Sequence, residues 1–111
     1  MDAVKTLEEI SFRTHPPYQD QRLTGKLGDI YNSADGRFGA VYWIAHGPGR
    51  LLEQPQADEL ICILEGHAVV EWHDQRKEVG PGNVILWLVK DPPVVFVPNQ
   101  LIAFCATYIQ G

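Results

Sequence analysis

The sequence predicts an all-β domain, and three observations predict it. Ten glycines and eight prolines among 111 residues punctuate the chain roughly every dozen residues, the rhythm of short strands joined by turns. The segments between them are short runs of Val, Ile, Leu, Trp, Tyr and Phe, side chains that suit a pleated surface. A hydrophobic share of 45% against 21% charged residues supplies one packed core, and the length is too small for two.

The elements follow in order. Val4 to Phe12 alternates weakly and reads as an edge strand, while His15-Pro16-Pro17-Tyr18 must be extended or turning because each proline restricts its neighbour. Residues 1–35 are therefore expected to form an N-terminal extension packed on a barrel of residues 36–111. The clearest strands are Phe38 to Ala45, Leu60 to Leu64, His67 to Trp72, Val84 to Val89, Val94 to Val97 and Leu101 to Ile109. Between them Gly47-Pro48-Gly49, Glu65-Gly66, Asp74-Gln75, Gly80-Pro81-Gly82, Asp91-Pro92-Pro93 and Pro98-Asn99 supply turn residues. The chain shows no internal repeat and no low-complexity tract.

Charge narrows the partners. Fourteen acidic against nine basic side chains give a formal charge of −5, and the basic ones are scattered from Lys5 to Lys90 rather than clustered. Nucleic acid is not an expected partner. The longest apolar run, Val84 to Val89, is about a third of what a membrane-spanning helix needs. Met1 to Ile10 has neither the basic start nor the apolar run of a secretory signal. The expectation is a cytoplasmic protein without membrane contact. Cys62 and Cys105 lie far apart in apolar strings, without CxxC spacing, and read as reduced, packed thiols.

The stretch Gly47-Pro-Gly-Arg-Leu-Leu-Glu53-Gln-Pro55-Gln-Ala-Asp-Glu59-Leu-Ile-Cys-Ile-Leu-Glu-Gly66 resembles the first cupin motif, G-x5-H-x-H-x3,4-E-x6-G, with Gly47, Glu59 and Gly66 in frame. Gly80-Pro81-Gly82-Asn83-Val84-Ile85-Leu86-Trp87 resembles the approach to the second motif, with Asn83 where aspartate is usual. The wording Asp58-Glu59-Leu-Ile-Cys-Ile-Leu-Glu-Gly66, with Trp43 shortly upstream, is similar to small cupins of the ethanolamine-utilization and ureidoglycolate-related subgroup. The resemblance implies a cupin-type double-stranded β-helix, a jelly-roll barrel of six to eight strands. It also implies where a metal would bind: the two histidines and glutamate of the first motif and one histidine of the second. Those positions hold Glu53, Pro55, Glu59 and Pro93 here, and proline has no side-chain donor atom. No metal and no other cofactor is expected, and a residual metal site from His46, Glu53 and Glu59 stays open as an alternative.

Within such a barrel alternation places Glu59, Ile61 and Ile63 on the inner face and Cys62 outside. Beyond Gly66 it places Ala68, Val70 and Trp72 inside and His67, Glu71 and His73 outside. Glu59, stripped of water, is the first candidate for acid/base work, because desolvation raises a carboxyl's pKa toward the range useful for proton transfer. Glu53 is the second carboxylate, and His46, beside the Gly47 turn, a third candidate. Tyr42, Trp43, Gln54, Ile61, Trp72 and Trp87 are the candidate substrate contacts, the aromatic rings for stacking. Each has a structural alternative: Glu59 as an acceptor for a neighbouring donor, Glu53 as a solvated loop residue, His46 as a surface histidine, the tryptophans as core. His15 reads as a surface residue.

Two functional readings stand together. One is a metal-independent enzyme of the isomerase, lyase or cyclase type acting on a small organic molecule. The other is a non-catalytic binding or sensing module for a small-molecule ligand. The apolar outer faces of the strands, Val69 and the C-terminal run among them, predict a homodimer joined through sheet contacts.

Overall fold

A computed structural model describes residues 3–109. Among these residues ten strands form two antiparallel sheets. The first element among the described residues is a single 3₁₀ turn at Leu7–Glu9. Strands β1 (Phe12–Thr14), β2 (Thr24–Asn32), β3 (Phe38–His46), β5 (Glu59–Gly66), β8 (Val84–Trp87) and β10 (Gln100–Tyr108) make a six-stranded sheet in the order β1-β2-β3-β10-β5-β8. Strands β4 (Gly49–Leu51), β6 (Ala68–Trp72), β7 (Gln75–Val79) and β9 (Val94–Val97) make the second sheet in the order β4-β9-β6-β7. Among the described residues no helix is long and apolar enough to cross a membrane.

The inner faces interlock through side chains that recur at every second residue. Trp43 and Ala45 of β3, Ile61 and Ile63 of β5, Ile85 of β8 and Leu101, Ala103 and Cys105 of β10 meet Ala68, Val95 and Val97 of the opposite sheet in one core. That alternation is the period of two that a strand imposes. Full burial of each large aliphatic side chain contributes on the order of 1.5–3 kcal/mol.

The expected strands are present, and four more join them. The stretch expected to alternate between Val4 and Phe12 is instead a 3₁₀ turn followed by the short β1. β2 lies within residues 1–35 yet pairs with β3 from Thr24↔His46 to Asn32↔Gly39, so the 35/36 boundary falls within the six-stranded sheet. The β6–β7 turn falls at His73 and Asp74, both at positive φ (49° and 60°). It lies one residue earlier than the sequence suggested, and two left-handed residues match the twist of a two-residue hairpin.

The segment before β2 is pinned into the barrel. Asp20 accepts hydrogen bonds from the backbone N–H of Arg22 (3.1 Å) and of Arg50 (2.8 Å), tying this segment to β4. His15 N–H donates to Gly25 O (2.9 Å), and Leu23 is fully buried. Tyr18, between these anchors, is thereby delivered to the barrel interior.

Candidate functional site

A cavity of about 170 Å³ lies between the sheets, lined by His15, Tyr18, Trp43, Glu59, Ile61, Trp87 and Cys105 among others. β5 and β8 set one wall: Glu59 and Trp87 are paired across the two strands, so both side chains leave on the same face. β10 sets the next, where Cys105 pairs with Ile61 of β5 and Val41 of β3. The segment before β2 supplies His15 and Tyr18 as a lid of aromatic rings.

Glu59 is largely buried, and burial pushes its carboxyl above the ordinary value of 4.5. A hydrogen bond from the Cys105 thiol opposes that rise without reversing it. The Cys105 thiol is itself pushed well above its usual range, first by burial and then by the neighbouring Glu59 charge. It is therefore a thiol rather than a thiolate, and a donor to Glu59 rather than a nucleophile.

Tyr18 is raised above the ordinary phenol value, chiefly by burial. Trp43 Nε1–H donates to its oxygen (2.8 Å), which leaves the phenol's own proton available. The ring of His15 stacks on that of Tyr18, centroids 4.0 Å apart and planes 6° from parallel. His15 Nδ1 lies 2.6 Å from Pro16 O; a carbonyl only accepts, so this nitrogen carries the proton. Room for the phenol exists because β2 carries glycine opposite it: a Cβ on Gly25 would fall 2.6 Å from the Tyr18 oxygen and 3.1 Å from Trp43 Nε1. The Trp87 indole N–H is buried and has no acceptor among the described residues.

The chain's architecture has close parallels among solved structures. The polyketide cyclase RemF from Streptomyces resistomycificus is similar at 17% identity and a TM-score of 0.73, over 99% of this chain and 81% of that one. The Clostridium difficile EutQ protein is similar at 12% identity and a TM-score of 0.72, over 92% and 82%. A cupin superfamily protein from Desulfitobacterium hafniense is similar at 17% identity and a TM-score of 0.63, over 83% and 82%. This is the cupin fold. By sequence the chain matches no family model and no curated protein, so the likeness is one of fold.

Cupin barrels that hold a metal do so with side chains that this barrel does not bring together. Pro55 and Pro93 are buried and fill two of the four ligand positions with hydrocarbon. Glu53 accepts the backbone N–H of Gln19 (3.0 Å) and of Leu52 (3.2 Å). Among the described residues no three His, Cys, Asp or Glu side chains gather as a metal site. The donor set does not fit a metal ion, which needs about three protein ligands.

The candidate residues divide sharply. Glu59, Trp43, Ile61 and Trp87 line the cavity. Glu53 does not: its carboxylate fastens the N-terminal segment to the loop before β5. His46 ends β3 opposite Gln100, whereas Glu59 pairs with Thr107; seven residues along β10 separate the two by roughly 20 Å. It is exposed and cannot serve Glu59. Tyr42 points to the outer face, where its ring meets Phe104 edge-on at 6.4 Å. Gln54 donates to Val89 O (2.9 Å) and braces a loop. Trp72, expected inside, is 47% exposed and donates to Asp91 (3.0 Å). It closes β6 at the open side of the barrel, beyond the reach of the inner layer.

The sequence reading missed three of the cavity's polar groups. His15, a surface residue by its sequence context, stacks on Tyr18; for Tyr18 the sequence predicts only an extended or turning Pro-Pro segment. Cys105 is a packed thiol, as its apolar neighbours predict, but its contact with Glu59 is made across two strands. Only the alternation of β10, with Ala103 and Cys105 on one face, could have pointed to it.

Proposed function

We propose that this cupin barrel binds a small organic molecule in the cavity between its sheets and moves a proton on it with Glu59. The observation that carries the reading is Glu59 itself: a carboxyl lining an apolar cavity, raised by desolvation, with no cation among the groups that shift it. An uncompensated buried acid costs stability that an apolar residue in its place would not. Raised carboxyls of this kind act as general acids and bases at moderate pH.

Tyr18 completes the chemistry as a donor. Its oxygen is fixed by Trp43 and its proton is directed to no acceptor among the described residues, so it suits a substrate oxygen on which negative charge develops. Proton removal by Glu59 beside such a donor describes an isomerisation, elimination or cyclisation. A volume of about 170 Å³ is close to that of an engineered cavity that admits benzene, so the substrate, or the part of it that enters, is about one ring in size. RemF, similar in fold, is a polyketide cyclase, which supports including cyclisation in this reading.

The test is a panel of small carbonyl and hydroxy compounds followed by NMR with the wild-type protein and Glu59→Gln. Turnover by the wild type, with binding but no turnover by Glu59→Gln, supports the proposal. Equal binding by both proteins with no change in any compound makes the barrel a binding module, a reading favoured by a wall that is mainly aromatic and aliphatic.

The outer face of the six-stranded sheet supports pairing of two chains. Leu86, Leu60, Ala106 and Ala40 form one row across β8, β5, β10 and β3, and Val84, Cys62, Phe104 and Tyr42 the next. Neither row carries a charge, and Leu60, Val84 and Leu86 are 46%, 51% and 55% exposed. Antiparallel sheets with one face in water alternate apolar with polar; these strands are apolar on both faces. A second copy of the same face is the self-complementary cover. Val69, by contrast, is already buried within the chain and has no part in that surface.

A further inference from the structure

A second, larger groove lies outside the cavity. β8 ends the six-stranded sheet and β7 ends the four-stranded one, so the two sheets are not hydrogen-bonded to each other on this side. A groove of about 390 Å³ occupies the gap. Its apolar lining includes Val70, Val79, Ile85 and Pro93 with Trp72 at one end, and it also takes in Val84 and Leu86 of the outer-face rows. The volume falls in the range of small-molecule pockets, about 300–1,000 Å³, and is more than twice that of the cavity beside Glu59.

The charges in this groove are unequal. Lys77 is paired with Val70 across β6 and β7, and Val70 packs on the core, so Lys77 leaves its strand on the inner face and lines the groove. Among the described residues it forms no ion pair. Asp91, the one acid in the lining, is already engaged by Trp72 Nε1–H (3.0 Å) and by His73 Nε2 (2.6 Å). The groove thus offers an apolar trough and one unneutralised cation, with the amides of Gln75 and Asn83 beside it.

We propose that this groove binds an amphipathic monoanion, a flat apolar body of about two rings bearing a carboxylate that meets Lys77. An inward lysine on an edge strand also discourages pairing with other chains, and the test separates the two roles. The probes are 2-naphthoate and its neutral isostere, 2-naphthamide, followed by amide and indole shifts in the wild-type protein. The carboxylate is expected to shift the Trp72 indole and the Gln75, Lys77 and Val79 amides, and to bind at least about fivefold more tightly than the amide, the value of a partly exposed charge-assisted contact. Lys77→Gln is expected to erase that difference. Lys77→Glu, which keeps a charge on the edge, is expected to abolish carboxylate binding while the protein remains soluble. The proposal is overturned if the two probes bind equally, if the shifts gather at Trp43 and Trp87 instead, if Lys77→Glu binds the carboxylate as the wild type does, or if the wild type shows no shifts at millimolar probe.

Discussion

Tyr18 occupies the barrel interior because distant positions make room for it and hold it. Gly25 leaves the space, Trp43 supplies the hydrogen bond and His15 covers the ring. Tyr18→Phe leaves the ring in place but strands the buried Trp43 N–H, a loss expected to cost about 1–3 kcal/mol and measurable by urea unfolding. Gly25 shows why part of the site was not legible in the sequence. A glycine within a strand reads as a weakness, yet here it is the vacancy that a side chain seven residues upstream fills. Glu59 was legible because its neighbours Ile61 and Ile63 fix the inner face by alternation. Tyr18, His15 and Cys105 reach it only through long-range packing, to which neither periodicity nor short motifs are sensitive.

At the scale of elements, turns and anchors set the register. Gly66, at φ +83°, ends β5 against the backbone of Gln100. Gly66→Ala meets both a left-handed conformation and that carbonyl, and is expected to destabilise by about 1–3 kcal/mol in a thermal or urea melt. Asp20 anchors the start of β4. The hydrogen bond from its own neighbour Arg22, followed by the Arg50 and Arg22 backbone N–H groups, holds its carboxyl well below the ordinary 3.8. A depressed carboxyl stabilises the fold at pH values above its unfolded value, and that contribution is lost as pH falls through the folded one. Asp20→Asn is expected to be less stable than the wild type at neutral pH, with a gap that narrows in acid, read from urea midpoints across a pH series. The strands β2 and β7 escaped the sequence reading for related reasons. Gly28 of β2 gives way to Ile10 and Phe12, and Gln75–Val79 is an exposed edge whose inner face carries only one apolar side chain, Val79, too few to impose alternation.

For the whole molecule, the apolar runs that made the strands legible also exceed what one core consumes. The excess lies on the outer face of β8, β5 and β10, and pairing of two copies there is the expected consequence. Sedimentation equilibrium should show a two-chain species, and Leu60→Asp with Leu86→Asp should convert it to monomer without loss of the β spectrum. A wild-type protein that sediments as one chain at high concentration contradicts the pairing. The fold itself was readable because the glycine and proline spacing and the strand composition agree at every level. The open side of the barrel was not, since Trp72 alternates correctly yet lies past the last inner layer.

The measurement nearest to the central claim is an NMR pH titration of the Glu59 side-chain carboxyl carbon in the ligand-free protein, assigned by comparison with Glu59→Gln. A midpoint above 4.5, the ordinary value for glutamate, is the result that a desolvated acid between the sheets requires. A midpoint at or below that value means the carboxylate is well solvated or paired with a cation, and the proton-transfer role assigned to it fails.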